Sequence, residues 1–480
     1  MARTRTKARI QYVPLILGVS LLAGLGLTSR GRQRAVTALS LEESANVLRV
    51  RPSAAGQDAC MVFDSASLPH PAAGRHIQQD RTAHATHVTA MYRSMSQLAV
   101  DRCGANTNIV FVAPRGGLAD RFRGMVQLFY YALLSNRGYA MDWEQPYQLT
   151  DFFEVASFAR GGPGSALPLL PMEVTTEFFQ DGHDIRINLP ANASVTIQSA
   201  NHRWIDIVRN PHLRPAAIQY GLIGLTRSQL FRLAIDVLIV RPRPAVLSEA
   251  DAVLAAMGMP RSQRATYLGA MHDERPARVR ASQAVTSGGV VVGVQIRTGA
   301  HGASWQSKDP PRHSLGTVAC FAAEVVRDCR VWGKCYVVLT SDSEQATSLF
   351  KAHIDSLVGS LGVVIQEDNS GVARAARAPD IRVGKSSGEI MHVYRTDVNG
   401  QPPAADIWLK TMVDWYLLRQ ADALVLSRSG FGWVAAWAGG TVNVRQLALD
   451  PKSDACSWYH LPPVGCHENL YMGVGVKCNA

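Results

Sequence analysis

The feature that most constrains this chain is a series of short apolar runs, each followed by a turn and a helical pattern, from about residue 288 to 444. Val290-Val291-Val292-Gly293-Val294-Gln295-Ile296 is almost wholly apolar and ends on Arg297. A strand that must face apolar neighbours on both sides reads this way, as in a parallel sheet covered by helices. The pattern predicts a helix over 314–327, a strand over 336–340 and a helix opened by Ser341-Asp342-Ser343-Glu344, whose side chains suit free helix N–H groups. It continues with a strand over 363–366, a helix over 406–420, a strand over 423–426, a helix over 430–438 closed by Gly439-Gly440, and a strand over 442–444.

An earlier unit has the same grammar. Asn108–Val112 reads as a buried strand, Pro114 to Arg121 as a glycine-containing turn, 122–135 as a helix and 139–143 as the next strand. Strand, turn, helix, strand is the building block of a parallel sheet. The stretch from 145 to 285 is less legible, with helical patterns over 227–239 and 248–257. The expected fold class is therefore α/β, with two Rossmann-like halves facing a cleft (the GT-B plan): a first half over 102–287 and a second over 288–448, followed by a cysteine-rich tail over 449–480. Open α/β sheets bind ligands beyond the C-terminal ends of their strands.

The N-terminal part differs in kind. Residues 10–28 form an uncharged, mostly apolar run of about nineteen residues, enough to span a bilayer as a helix. Arg3, Arg5, Lys7 and Arg9 precede it and Arg30, Arg32 and Arg34 follow. No clear small-x-small cleavage site follows the run, which favours an uncleaved anchor over a signal peptide. The expected order is a cytosolic tail over 1–9, the anchor over 10–28 and a stem over 29–101, with the globular part in the Golgi lumen. Eight cysteines and one acceptor sequon, Asn192-Ala193-Ser194, suit that compartment. No Cys-x-x-Cys pair suggests zinc, and the disulfide pairing is not deducible. The net charge of +11 is diffuse, without a basic run interleaved with aromatics, so nucleic acid is not an expected partner.

Four strand ends carry the chemistry. Arg297, before Thr298-Gly299, is placed to clamp a diphosphate in bidentate fashion, and an Arg there also suits a surface carboxylate. Asp342 suits a ribose or base, or a helix cap. Ser427-Arg428-Ser429-Gly430-Phe431 is a hydroxyl-rich turn opening a helix, where free N–H groups and the helix dipole favour an anion. Gly117, Asp120 and Arg121 form the corresponding turn of the first half. The chain has no Gly-x-Gly-x-x-Gly, which argues against a dinucleotide, and no Asp-x-Asp, which argues against a donor held through a metal ion.

Three blocks resemble plant xyloglucan-type and bacterial nodulation-type fucosyltransferases: GGLADRFRGMVQLFYYALLSNRGYAMDW, VGVQIRTG and KTMVDWYLLRQADALVLSRSGFGWVAAW. They occur in the family's order between about residues 110 and 440. The resemblance implies inverting, metal-independent transfer of L-fucose from GDP-fucose to a glycan hydroxyl of β-galactoside type. It implies that Arg297 holds the β-phosphate and assists its departure. Asp342, Ser427, Ser429, Gly430 and Phe431 would contact the guanosine diphosphate, and Gly117, Asp120 and Arg121 would line the acceptor side. Some relatives carry an acid shortly after the strand-end arginine. Here Ala300 to Lys308 contains no carboxylate, so His301 is the candidate base and the base stays unassigned. The alternatives are transfer from another nucleotide sugar, fucosylation of protein hydroxyls, and a catalytically silent, membrane-tethered glycan-binding protein.

Overall fold

The computed structural model describes residues 108–112, 117–135, 137–143, 147–156, 170–172, 195–198, 205–269, 288–299, 312–361, 364–367, 373–376, 378–386, 405–441, 443–447 and 456–460. The expected tail, anchor and stem (1–101), the sequon, His301 and Cys466 and Cys478 of the C-terminal tail lie outside them. Among the described residues no helix is long and apolar enough to cross a membrane.

The first half runs β1 (Asn108–Val112), α1 (Leu118–Leu134), β2 (Gly138–Asp142), β3 (Phe153–Val155), β4 (Leu170–Met172), β5 (Val195–Gln198), α2 (Asp206–Arg209), α3 (Arg214–Gln219), α4 (Arg227–Leu238), β6 (Ile239–Pro242), α5 (Pro244–Ala256) and α6 (Arg261–Gly269). Four of its strands form a parallel sheet in the order β2-β1-β5-β4, and β3 and β6 pair antiparallel in a separate two-stranded sheet. α1 is buried along its whole length except at Asp120, as its nearly continuous apolar sequence requires of a helix covered on all sides.

The second half runs β7 (Val290–Ile296), α7 (Val318–Trp332), β8 (Lys334–Ser341), α8 (Glu344–Ser360), β9 (Val364–Glu367), β10 (Ala373–Ala376), β11 (Asp380–Gly384), α9 (Ala405–Gln420), β12 (Ala423–Leu426), α10 (Gly430–Gly439), β13 (Asn443–Leu447) and β14 (Trp458–His460). Six strands form the sheet β11-β8-β7-β12-β13-β14, parallel except for β14. Every residue of β7 is buried. Val290, Val292, Val294 and Ile296 belong to the cluster formed with α7 and α8, whereas Val291 packs into the cluster on the other face.

One strand expected in this sheet is not part of it. From the 363–366 run comes β9 (Val364–Glu367), which among the described residues pairs with β10 alone, antiparallel. Its place beside β8 is taken by β11, whose burial is weak throughout. An edge strand covered on one side lacks the apolar continuity that marks β7 and β8.

The two halves share one core. Phe122 of α1 lies against Trp415 of α9 with ring centroids 4.5 Å apart, and Phe231 of α4 against Trp437 of α10 at 5.5 Å. The Tyr416 hydroxyl donates to the Leu268 carbonyl at 2.6 Å and that of Tyr267 to the Leu417 carbonyl at 3.1 Å. Arg419 of α9 pairs with Asp236 of α4. α9 and α10 approach so closely that a Cβ at Gly439 would fall on the Arg419 carbonyl oxygen, a backbone atom that cannot swing aside. Gly439→Ala is therefore expected to cost about 3 kcal/mol, the upper range of overpacking, seen as a lower urea midpoint at unchanged slope.

Among the described residues, two disulfides lie in the second half. Cys320–Cys456 ties α7 to the segment entering β14, and Cys329–Cys335 staples the α7–β8 turn.

Candidate functional site

Chain order and strand order together locate the site. β7 comes first and β8 and β11 stack on one side of it; the chain then returns to lay β12 and β13 on the other side. The direction of winding therefore reverses between β7 and β12. At such a switch point the connections leave in opposite directions and open a crevice at the C-terminal strand ends.

Register brings the predicted residues to that crevice. Ile296 is level with Ser341 of β8, and Gln295 with Leu426 of β12. Arg297 thus emerges between Asp342 on one side and the turn after β12 on the other. Ser427 fastens this turn to β7. Its N–H donates to the Gln295 carbonyl at 2.8 Å, its hydroxyl donates to Gln295 Oε1 at 2.8 Å, and it accepts the Arg297 N–H at 3.0 Å. Ser427 is fully buried, so it holds Arg297 in place from beneath.

Ser429 is the N-cap of α10, its hydroxyl accepting from the Phe431 N–H at 3.3 Å. Gly430 and Gly432 also stand in the first turn, where helix geometry supplies no carbonyl four residues back. Gly432 is held to glycine: a Cβ there would lie 2.9 Å from Leu426 and 3.3 Å from Gln295 Oε1. The turn thus presents helix-start amides beside a guanidinium, an arrangement suited to a diphosphate.

Asp342 stands at the crevice but does not cap the helix that follows it. The N-cap of α8 is Ser343, which accepts from the Ala346 N–H. The Asp342 carboxylate instead takes the Thr298 N–H at 2.7 Å, the Thr298 hydroxyl at 2.9 Å and the Gly299 N–H at 2.9 Å. It shapes the backbone that follows Arg297.

Behind it lies a buried polar cluster. Lys410 Nζ of α9 donates to Asp414 Oδ2 at 3.0 Å and to Ser386 Oγ at 2.6 Å. The Thr340 hydroxyl donates to Asp414 Oδ2 at 2.9 Å and the Ser386 hydroxyl to Oδ1. Lys410 and Asp414 are 6% and 5% exposed. Four residues from three segments thereby lock the ends of β8 and β11 onto α9. Gly384-Lys385-Ser386-Ser387-Gly388 has the spacing of a hydrolase nucleophile elbow. Burial of Ser386, with its hydroxyl given to a carboxylate and held by an ammonium, removes that reading.

Of the first-half residues, Arg121 is arranged differently from expectation. Gly117 is the N-cap of α1, and Asp120 is paired with the buried Arg123. Arg121 does not reach out into a cleft. It is buried between the rings of Trp143 and Trp408, with its guanidinium carbon 5.6 Å and 5.3 Å from their centroids. Burial pulls its pKa down to about 10, against the opposing pull of Asp120. Trp408 belongs to α9, so this cation–π sandwich joins the halves.

A histidine that no motif marks also lies at the crevice. His313 is 3% exposed, and its Nε2 accepts the Arg428 N–H at 3.4 Å. Its ring meets Phe321 edge-on at 5.8 Å. Burial, aided by Arg312, pushes its pKa down to about 4. The signal that could have found it is position: the Arg312 N–H bonds the Thr298 carbonyl at 3.0 Å, which brings His313 beside the end of β7.

No family model matches the chain, and neither does any curated protein. Among solved structures it is similar to an Arabidopsis thaliana FUT1 mutant in complex with GDP, at 14% identity, covering 75% of this chain and 79% of that one, with a TM-score of 0.45. It is also similar to the fucosyltransferase NodZ from Bradyrhizobium, at 15% identity, covering 75% of this chain and 100% of that one, with a TM-score of 0.36.

Proposed function

We propose that this protein is a GT-B glycosyltransferase that binds GDP-fucose at the β7/β12 switch point and transfers L-fucose to a glycan hydroxyl. The observation that carries the reading is the meeting of Arg297 with the Ser427–Phe431 turn in one crevice, tied by the Arg297 N–H to Ser427 Oγ bond. A guanidinium and helix-start amides together complement the diphosphate and the additional negative charge it acquires on departure. The identity of the donor rests on the three sequence blocks that resemble fucosyltransferases.

In this reading the acceptor oxygen attacks the anomeric carbon as the bond from that carbon to the β-phosphate oxygen breaks. The acceptor hydroxyl's proton passes to solvent or to the departing β-phosphate as GDP leaves. Arg297 stabilises the charge on the leaving oxygen, and Asp342 sets the course of the backbone beyond it. The acceptor, a β-galactoside-like glycan, would approach from the first-half side. The proposed setting, a Golgi membrane with the catalytic part luminal and residues 10–28 as anchor, rests on the apolar run, the cysteines and the sequon.

Calorimetric titration of the full-length protein in detergent with GDP, UDP and CDP, each with and without EDTA, tests the reading. GDP binding that is tightest of the three and indifferent to EDTA is the expected outcome. Preference for another base would leave the crevice but remove the donor. EDTA-sensitive binding would remove the metal-independent mechanism.

A further inference from the structure

We propose that His313 is a positioning residue which, as a neutral imidazole, holds the anion-binding turn between β12 and α10 in its binding conformation. The proposal rests on the nucleotide reading of that crevice and adds a residue to it.

Three segments meet there: the end of β7, residues 312–314 and the turn that starts at Ser427. The first and second are joined by the Arg312 N–H to Thr298 carbonyl bond, and the first and third through Ser427. His313 makes the remaining join, from the second segment to the third, through Nε2 to the Arg428 N–H. An imidazole that accepts at Nε2 carries its single proton on Nδ1, so one tautomer is selected.

The bond also gives the Arg428 amide an internal acceptor. That bond fixes the residue just before Ser429, the N-cap of α10, whose first turn includes the amides of Gly430 and Gly432. Rotation of the 427–428 peptide would break the His313 bond and move Ser429 off its capping position. An anion site is only as good as the fixity of its donors, because donors ordered by the ligand must be ordered at the ligand's expense.

The imidazole is itself braced. Phe321 meets its ring edge-on, and Phe321 in turn meets Trp458 at 5.5 Å. Phe321 adjoins Cys320, whose disulfide to Cys456 holds the strand that carries Trp458. Arg312, its neighbour in the chain, disfavours an imidazolium, in keeping with a residue that works neutral.

The test compares the full-length protein with His313→Gln, which keeps an acceptor at similar reach, and His313→Leu, which keeps the apolar contact and removes the acceptor. Titration with GDP reads the site, hydrogen exchange of the segment 424–433 reads the turn, and thermal melting reads the fold. His313→Leu is expected to weaken GDP binding about tenfold and to speed exchange in 424–433, with melting close to the parent's. His313→Gln is expected to restore both. Equal GDP affinity and equal exchange in His313→Leu would overturn the proposal, as would losses in both variants that simply follow a lowered melting temperature. If the parent binds no GDP, the nucleotide reading fails. Exchange then still decides: faster exchange in His313→Leu with rescue in His313→Gln supports the hold on the turn, and no change refutes it.

Discussion

Arg297→Ala is expected to lower donor turnover by about a hundred- to a thousand-fold, the range found when a main electrostatic donor to a leaving group is removed. It should do so without a matching loss of stability. The Arg297 side chain is half-buried at the mouth of the crevice, and what fixes its backbone is Ser427 beneath it, which the substitution leaves in place. Truncations at such positions change stability by about 0.5 kcal/mol or less. Arg297→Lys separates charge from geometry. Lysine keeps the charge but presents a compact ammonium in place of a planar fork, so most of the loss should persist. Full recovery with lysine would show that Arg297 supplies only a diffuse positive potential.

The second large effect concerns stability. Lys410→Met leaves the buried Asp414 carboxylate without its cation and is expected to cost about 3–5 kcal/mol, the range for breaking one partner of a buried ion pair. Chemical denaturation at constant slope measures this. The double variant Lys410→Met/Asp414→Leu removes both charges and should recover much of the loss, because two well-packed apolar side chains can replace a buried pair at little cost. Two additive losses would mean that the pair is not coupled, contrary to the geometry of Lys410, Asp414, Thr340 and Ser386.

His313 also makes stability depend on pH. Unfolded, its imidazole takes up a proton near its ordinary value of 6.5; folded, it resists until about 4. Between those values the unfolded chain binds the extra proton, so stability is fullest above pH 6.5 and falls as the pH drops towards 4. The loss attributable to this residue is about 3 kcal/mol, at 1.36 kcal/mol for each unit. It should be absent from the acid limb of the stability profile of His313→Gln.

Much of the second half was legible because β7, β8 and β12 are apolar on both faces, and because Ser343 and Gly440 stand at helix ends where caps belong. The positions of Arg297, Ser427 and Ser429 just past strand ends were legible for a related reason: those ends could be counted. What could not be counted was partnership across the sheet. Asp342 looked like a cap because it precedes a helix, yet its carboxylate turns to Thr298 and Gly299, forty-odd residues earlier in the chain. Arg121 looked like a cleft residue, but Trp408 comes from the other half to cover it. Lys410 and Asp414, spaced as an ordinary exposed helical pair, lie on a face that tertiary packing buries. β11 was missed and β9 misplaced because edge strands and hairpins carry similar, weak patterns.

The central claim is turnover of one nucleotide sugar at the β7/β12 crevice, and nucleotide release by the full-length protein in detergent tests it most directly. The parent and Arg297→Ala would each be given a panel of nucleotide sugars with mixed galactosides as acceptors and EDTA present. The account predicts release from GDP-fucose alone, dependent on the acceptor and lost in the variant. Release from a different nucleotide sugar, release that survives in Arg297→Ala, or no release from any donor would contradict it.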